Sequence, residues 1–215
     1  RKGSIKMENY VLFELCRKES KGGGLMTGAA KNLNPVLIME GDDEVEILVI
    51  EVIIKKLKIR IINGYGPQED ENIERKLKFY SELDQQIVQA QQDGCGVILE
   101  LDANAKINVN SNDPNEISPN GKLFLDLVER NQLYIANSMD ICEGTITRIR
   151  EKSDGHVEKA VLDYLVVDGI MLNYLNEFII DEKRTHVLTK YASKKGGKNK
   201  KESDHNTLVS KFQIK

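Results

Sequence analysis

The sequence has no apolar run approaching the ~20 residues that a membrane-spanning helix needs, which excludes an integral helical membrane protein. It is poor in cysteine. Cys16, Cys95 and Cys142 are odd in number, widely spaced and form no CxxC pair, so neither a disulfide framework nor a zinc site is expected. They read as small buried hydrophobes in a reducing, intracellular compartment, nuclear or cytoplasmic. An excess of positive charge is also lacking. The net charge is -3, which gives no global electrostatic argument for a nucleic-acid binder. Histidine is scarce, with only His156, His186 and His205. No charged-then-apolar leader follows Arg1, so the expectation is a processed chain or a start part-way into a longer reading frame.

What is there is a soluble globular balance: 215 residues, 40% hydrophobic and 30% charged, enough for one large domain. The charge is uneven. Residues 40–51 hold six acids and no base, whereas the stretch from Lys183 to Lys201 is crowded with lysine. Short β-branched runs predict strands at Val36–Met39, Val45–Ile54, Leu57–Ile62, Val97–Leu101, Leu133–Ala136, Val161–Val167, Phe178–Ile180 and Leu208–Ile214. The acidic stretch 40–44 reads as an exposed hairpin turn. Phe79, Leu83, Ile87 and Ala90 form one helical stripe, stopped by Asp93-Gly94. Leu123, Phe124, Leu127 and Val128 form another, started by Ser118-Pro119. Mostly strands with inserted helices predict a layered α/β domain with an antiparallel or mixed sheet. The Gly196–Lys201 stretch reads as a flexible basic loop.

The residues that carry chemistry sit at strand ends. Asp102 and Asn104 follow the buried run 97–101 and, by alternation, share one side of the chain. An Asx-turn closing the strand is the plainer alternative. Asp163 lies inside an apolar run on the face of Val161, Leu165 and Val167, and an unpaired carboxylate there costs several kcal/mol. It needs a partner or should titrate as a neutral acid, and His205 in Ser203-Asp204-His205 is the best placed partner. An Asp that holds a His fixes its tautomer and stabilises its protonated form. The neighbouring Asp204 offers hard oxygen to a cation such as Mg²⁺.

In these motifs the chain resembles the exonuclease–endonuclease–phosphatase superfamily, and most closely the endonuclease domains of non-LTR retrotransposons. The segments that carry the resemblance run in family order: Lys21–Leu25, Asn63-Gly64-Tyr65-Gly66-Pro67-Gln68, Leu101-Asp102-Ala103-Asn104-Ala105, Gly144-Thr145-Ile146-Thr147-Arg148, Leu162-Asp163-Tyr164 and Ser203-Asp204-His205. The resemblance implies a deoxyribonuclease I-like four-layer α/β sandwich of two packed mixed sheets flanked by helices. It spans 21–215 and leaves 1–20 as a remnant N-terminal segment. It implies that Tyr65, Asp102, Asn104, Asp163 and His205 are catalytic. Asp204, with Asp102 and Asn104, would serve Mg²⁺ or Mn²⁺. Arg148, Lys194, Lys195, Lys198, Lys200 and Lys201 would hold nucleic acid, DNA foremost, and a reverse transcriptase domain would accompany it in a longer reading frame.

The chain departs from that pattern twice. No strand followed by a Gln-Glu-Thr-like motif, whose Glu is a principal metal ligand, precedes Lys21. Of the acids there, Glu14 reads as the solvated side of an amphipathic segment beside Glu8 and Glu19. Leu101 also stands at the usual glycine, where bulk is expected to crowd Asp102. Three functions follow: a metal-dependent endonuclease weakened by the missing Glu, a catalytically silent descendant that binds nucleic acid or protein, and a phosphatase of a small molecule or lipid headgroup.

Overall fold

The computed structural model describes residues 7–17, 24–108, 117–186, 189–194 and 197–214. In chain order the elements are β1 (Tyr10–Leu15), β2 (Leu25–Ala30), β3 (Val36–Glu40), β4 (Ile47–Ile54), β5 (Leu57–Tyr65), α1 (Ile73–Gln92), β6 (Gly96–Asp102), α2 (Pro119–Arg130) and β7 (Tyr134–Ile135). Then follow β8 (Cys142–Glu143), β9 (Arg148–Glu151), β10 (Val157–Ala160), β11 (Asp163–Val167), α3 (Gly169–Leu172), β12 (Leu175–Ile180), β13 (Thr189–Lys194), β14 (Gly197–Glu202) and β15 (Leu208–Phe212).

Six strands form the central sheet in the order β3-β4-β5-β6-β11-β7, parallel between β5 and β6 and antiparallel elsewhere. A second layer holds β15-β12-β8, again mixed, together with the β1-β2 ribbon. Period-two alternation divides the core. Val97, Leu99 and Leu101 of β6 turn to the layer of α1 and α2, whereas Ile98 turns to the second layer with Ile50, Leu165, Val167 and Phe178. The expected α/β sandwich of packed mixed sheets is what the chain forms.

Helix α1 is set by its apolar stripe and by Asn72, whose side chain accepts from the Arg75 amide at 2.8 Å. It ends before Gly94, which takes the left-handed conformation at φ +68°. Ser118 caps α2 by accepting from the Gly121 amide, with Pro119 in the first turn. The acidic turn before β4 is organised by Asp42 Oδ1, which accepts from the amides of Glu44 and Val45 at 2.9 Å.

Several expectations need correction. The Lys-rich stretch is not a loop: β13 and β14 pair antiparallel from Thr189↔Glu202 to Lys194↔Gly197. Alternating Thr, Tyr and Ser on one strand and a short connection to the next outweigh its glycines and charge. Lys195 and Gly196 lie outside the described residues, as do Glu19, Lys21, Gly22 and Gly23. Of the cysteines, all free, Cys95 is buried but Cys16 is exposed, since it stands just beyond the end of β1. Val161 packs toward the helix layer rather than with Leu165 and Val167, because β11 starts only at Asp163.

Among the described residues no helix is long and apolar enough to cross a membrane. Leu83, fully buried at the centre of the α1 stripe, tests the helix-to-sheet core. Leu83→Ala should lower the unfolding free energy by about 2–5 kcal/mol in a urea titration.

Candidate active site

The polar groups gather at one end of the sandwich because three strands of the central sheet place them in a row. Tyr65 on β5 is the register partner of Asp102 on β6, and Asp102 is the partner of Asp163 on β11. Two carboxylates directly opposite on an antiparallel pair repel. Burial and the Asp163 charge push Asp102 up to about 7, against the pull of His205, the Asn104 amide and Arg148. Two residues back on the same face stands Glu100, an exposed side chain.

The second layer brings the counter-charge. His205 Nδ1 lies 3.0 Å from both oxygens of Asp163 and 4.0 Å from Asp102 Oδ2. An ionised carboxylate only accepts, so the proton sits on Nδ1 and Nε2 is left uncommitted by Asp163. The Asp163 hydrogen bond, with the charges of Asp163, Asp102 and Asp204, raises the His205 pKa over the opposing effect of burial. The expected Asp163–His205 pair is thus formed across 42 residues of sequence.

Asn104 serves the turn that its Asx motif builds. It takes φ +45°, its amide donates to Asp102 Oδ1 at 3.2 Å, and its Nδ2 donates to the Gly66 carbonyl at 2.7 Å. Gly66 is required there, since a Cβ would lie 2.7 Å from the Ala103 carbonyl oxygen. Tyr65 Oη accepts from Gln68 Nε2 at 2.6 Å, and the Arg17 guanidinium sits 5.3 Å from its ring centre. Asp204 turns to Arg148, whose Nε donates to Oδ2 at 3.0 Å. Burial pushes the Asp204 carboxyl up, but the Arg148 bond and charge and its backbone and His205 neighbours leave it below the ordinary range.

Leu101 does not crowd Asp102. Successive residues of a strand point to opposite faces, so its side chain enters the helix-side core. Gly64 makes the room, since a Cβ there would meet Leu101 Cδ1 at 2.9 Å. Glu14 faces away too. It pairs with exposed Met26, whereas Phe13 and Leu15 turn inward. On the basic hairpin, Lys190 stands opposite Lys201, Tyr191 opposite Lys200 and Ser193 opposite Lys198.

Sequence reasoning missed the residues that hold this row. Thr147 is fully buried, and its Oγ1 accepts from the amides of Leu162 and Asp163 at 2.8 and 3.1 Å. Asn137 donates to the Asp163 carbonyl and accepts from the Leu165 amide, both at 3.0 Å. Asn120 ties the Pro67 and Asn104 carbonyls at 2.7 and 3.1 Å. Arg184 fastens the segment of His205 through Ser203 O and Asn206 Oδ1. The Thr-x-Thr-Arg segment is the one local signal for them, and it points to Arg148 alone.

Among the described residues, Asp102, Asp163 and His205 are the three potential metal-ligating groups whose atoms lie within 4.8 Å of one another. Since His205 Nδ1 is committed to Asp163, hard oxygen from Asp102 is the donor that fits a divalent cation.

Both Asp102 and His205 bind protons more tightly folded than unfolded, so metal-free stability should fall as pH rises. The Asp102 contribution is lost between about pH 4 and its folded value near 7. The His205 contribution is full below about pH 6.5 and lost through its raised pKa. NMR titration of His205 should place that pKa above the ordinary histidine value, and Asp163→Asn should lower it. A native value at or below the ordinary one excludes the ion pair.

No protein-family model matches the sequence, and a comparison with curated proteins finds no match. Solved structures do. The endonuclease domain of TRAS1, a telomere-specific non-LTR retrotransposon, superposes with TM-score 0.66 at 18% identity, over 97% of this chain and 82% of that one. An AP endonuclease from Leishmania major gives 0.68 at 13% identity, over 96% and 72%. A mannosyl-6-phosphatase from Bacteroides thetaiotaomicron gives 0.62 at 9% identity, over 97% and 78%. Nucleases and phosphatases thus share this architecture, and the chain has the fold of the endonuclease/exonuclease/phosphatase family.

Proposed function

We propose that the chain hydrolyses phosphodiester bonds of nucleic acid, DNA foremost, with Mg²⁺ or Mn²⁺, as an endonuclease of the retrotransposon type. The observation that carries this reading is the row Tyr65–Asp102–Asp163 with His205 closed upon it. The likeness to the TRAS1 endonuclease domain supports the retrotransposon reading, in which a reverse transcriptase domain works in the same longer chain.

The chemistry follows from the protonation states. His205, held protonated by Asp163, presents positive charge and a donor to a phosphoryl oxygen. Asp102, held at the turn by the Asn104 amide, orients the attacking water. Tyr65, the register partner of Asp102, lines the same cavity, and Asn104 holds the turn that joins Asp102 to Gly66. A divalent cation bound at Asp102 supplies Lewis-acid neutralisation of phosphoryl oxygens. Asp204 acts through Arg148, which with Lys194, Lys195, Lys198, Lys200 and Lys201 is assigned to the nucleic-acid backbone.

The test is nicking of supercoiled plasmid by the intact chain with Mg²⁺ or Mn²⁺. His205→Ala and Asp163→Asn should each slow it by at least about 100-fold. Cleavage indifferent to both substitutions removes the proposed site. Phosphate release from a sugar phosphate without nicking would make the chain a phosphatase, and DNA binding without cleavage a silent descendant. Replacing the five lysines with Gln should flatten the logarithmic salt dependence of duplex binding, by roughly 0.9 for each phosphate no longer neutralised. An unchanged slope in a fluorescence titration takes the hairpin out of the interface.

A further inference from the structure

The central sheet ends in β3, and among the described residues that strand pairs only with β4. A strand at an edge presents a row of backbone amides and carbonyls that another strand can pair with. The far edge of the same sheet and both edges of β15-β12-β8 are blunted: β7 and β8 are two residues long, and β15 carries Lys211. Neither protection is found on β3. Its five residues, Val36-Leu37-Ile38-Met39-Glu40, hold no lysine and no proline. Val36, Leu37 and Ile38 keep 55%, 40% and 41% of their surface, whereas Val49 and Ile50 on the neighbouring strand are fully buried. Ile38 stands at a bulge, without a register partner on β4; bulges add twist, but this one brings no charge to the edge.

The two ends of β3 differ in sign. Its last residue is Glu40, and the chain then turns through Asp42, Asp43 and Glu44. At its start stand Lys31 and, on the turn between β4 and β5, Lys55 and Lys56, all three exposed. That turn belongs to the same end because Val36 lies opposite Glu51, and β4 runs on from there to Ile54. An apolar middle with acids at one end and lysines at the other is complementary to itself after a half-turn. An antiparallel copy sets the acids of each chain against the lysines of the other, whereas a parallel copy sets like charges together.

We infer that this edge joins two copies of the chain, β3 pairing antiparallel with β3 of the second copy about a two-fold axis beside Ile38. The contact is isologous, so each favourable pair occurs twice, and two six-stranded sheets become one continuous sheet. Val36, Leu37 and Ile38 lose exposed surface on both sides of the axis. Tyr65 stands beyond Gly64, the register partner of Ile47, at the end of the sheet where β3 finishes in Glu40. A half-turn therefore points the two candidate active sites to opposite ends of the joined sheet, each complete within its own chain. The inference does not depend on what that site does.

The experiment is sedimentation equilibrium of the intact chain from about 1 to about 100 µM, where the mass should rise from that of one chain toward that of two. Ile38→Lys places two lysines side by side at the axis and should weaken association by at least about tenfold. Two charge-reversed chains test the orientation, one with Glu40→Lys and Glu44→Lys, the other with Lys31→Glu and Lys56→Glu. Each should associate more weakly with itself than the native chain does, and an equimolar mixture should recover the mass of two chains. A native chain that stays single throughout overturns the inference and leaves the edge to a different protein. Native association in Ile38→Lys places the contact elsewhere and also overturns it. No recovery on mixing does the same, and it decides the matter should Ile38→Lys fail to fold.

Discussion

Asp102 and Asp163 face each other across neighbouring strands, and the surrounding structure is organised around keeping two like charges in place. The ladder between β6 and β11 fixes their separation, since register leaves neither side chain another position. One relief is for a carboxyl to hold its proton longer, which is the behaviour of Asp102. The other is a positive group from outside the sheet, and His205 arrives from the second layer to provide it. For the imidazole to stay there, the segment between β14 and β15 that carries it must be fastened. Arg148, Asn206 and Arg184 do this from three directions, Arg148 through an antiparallel bridge to His205 itself.

The same constraint explains the depth of the supporting network. An imidazole that moves by an ångström loses its Asp163 bond and leaves two carboxylates unanswered. Backbone amides at the start of β11 are therefore not left to water. Thr147 accepts two of them, and Asn137 brackets Asp163 from the other side. Asn120 performs the matching service for the Asn104 and Pro67 turns. These side chains are buried, small and neutral, which suits groups whose task is to satisfy backbone atoms in a low dielectric.

That division of labour decides what can be read from the sequence. The strands of the central sheet, with β12 and β15, are legible because β-branched runs and alternation are local signals, and the two long helices because their apolar stripes are; β1, β2 and β8 to β10 carry no such run and are not. Asp163 and His205 are legible because a charge inside an apolar strand demands a partner and histidines are few. Thr147, Asn137 and Asn120 are not, since a neutral polar residue looks the same whether it caps a buried amide or faces water. Leu101 misleads for a related reason. A glycine replaced by leucine looks like obstruction until the facing strand shows Gly64 opposite it. The lysine-rich hairpin misleads because charge and glycine describe solvation well and cross-strand pairing poorly.

Alternation along the central sheet also determines where chemistry can be housed. Successive ranks across β5, β6 and β11 on the interlayer face change from Ile61, Ile98 and Val167 to Asn63, Glu100 and Leu165, and then to Tyr65, Asp102 and Asp163. The apolar rank packs against β12 and β15 and stabilises the sandwich. The last rank is polar throughout and meets His205. The middle rank is where the two demands conflict, and there the layers stop short of full packing and leave a cavity. Filling that cavity with apolar side chains would add stability and remove the donors that chemistry at the rim draws on.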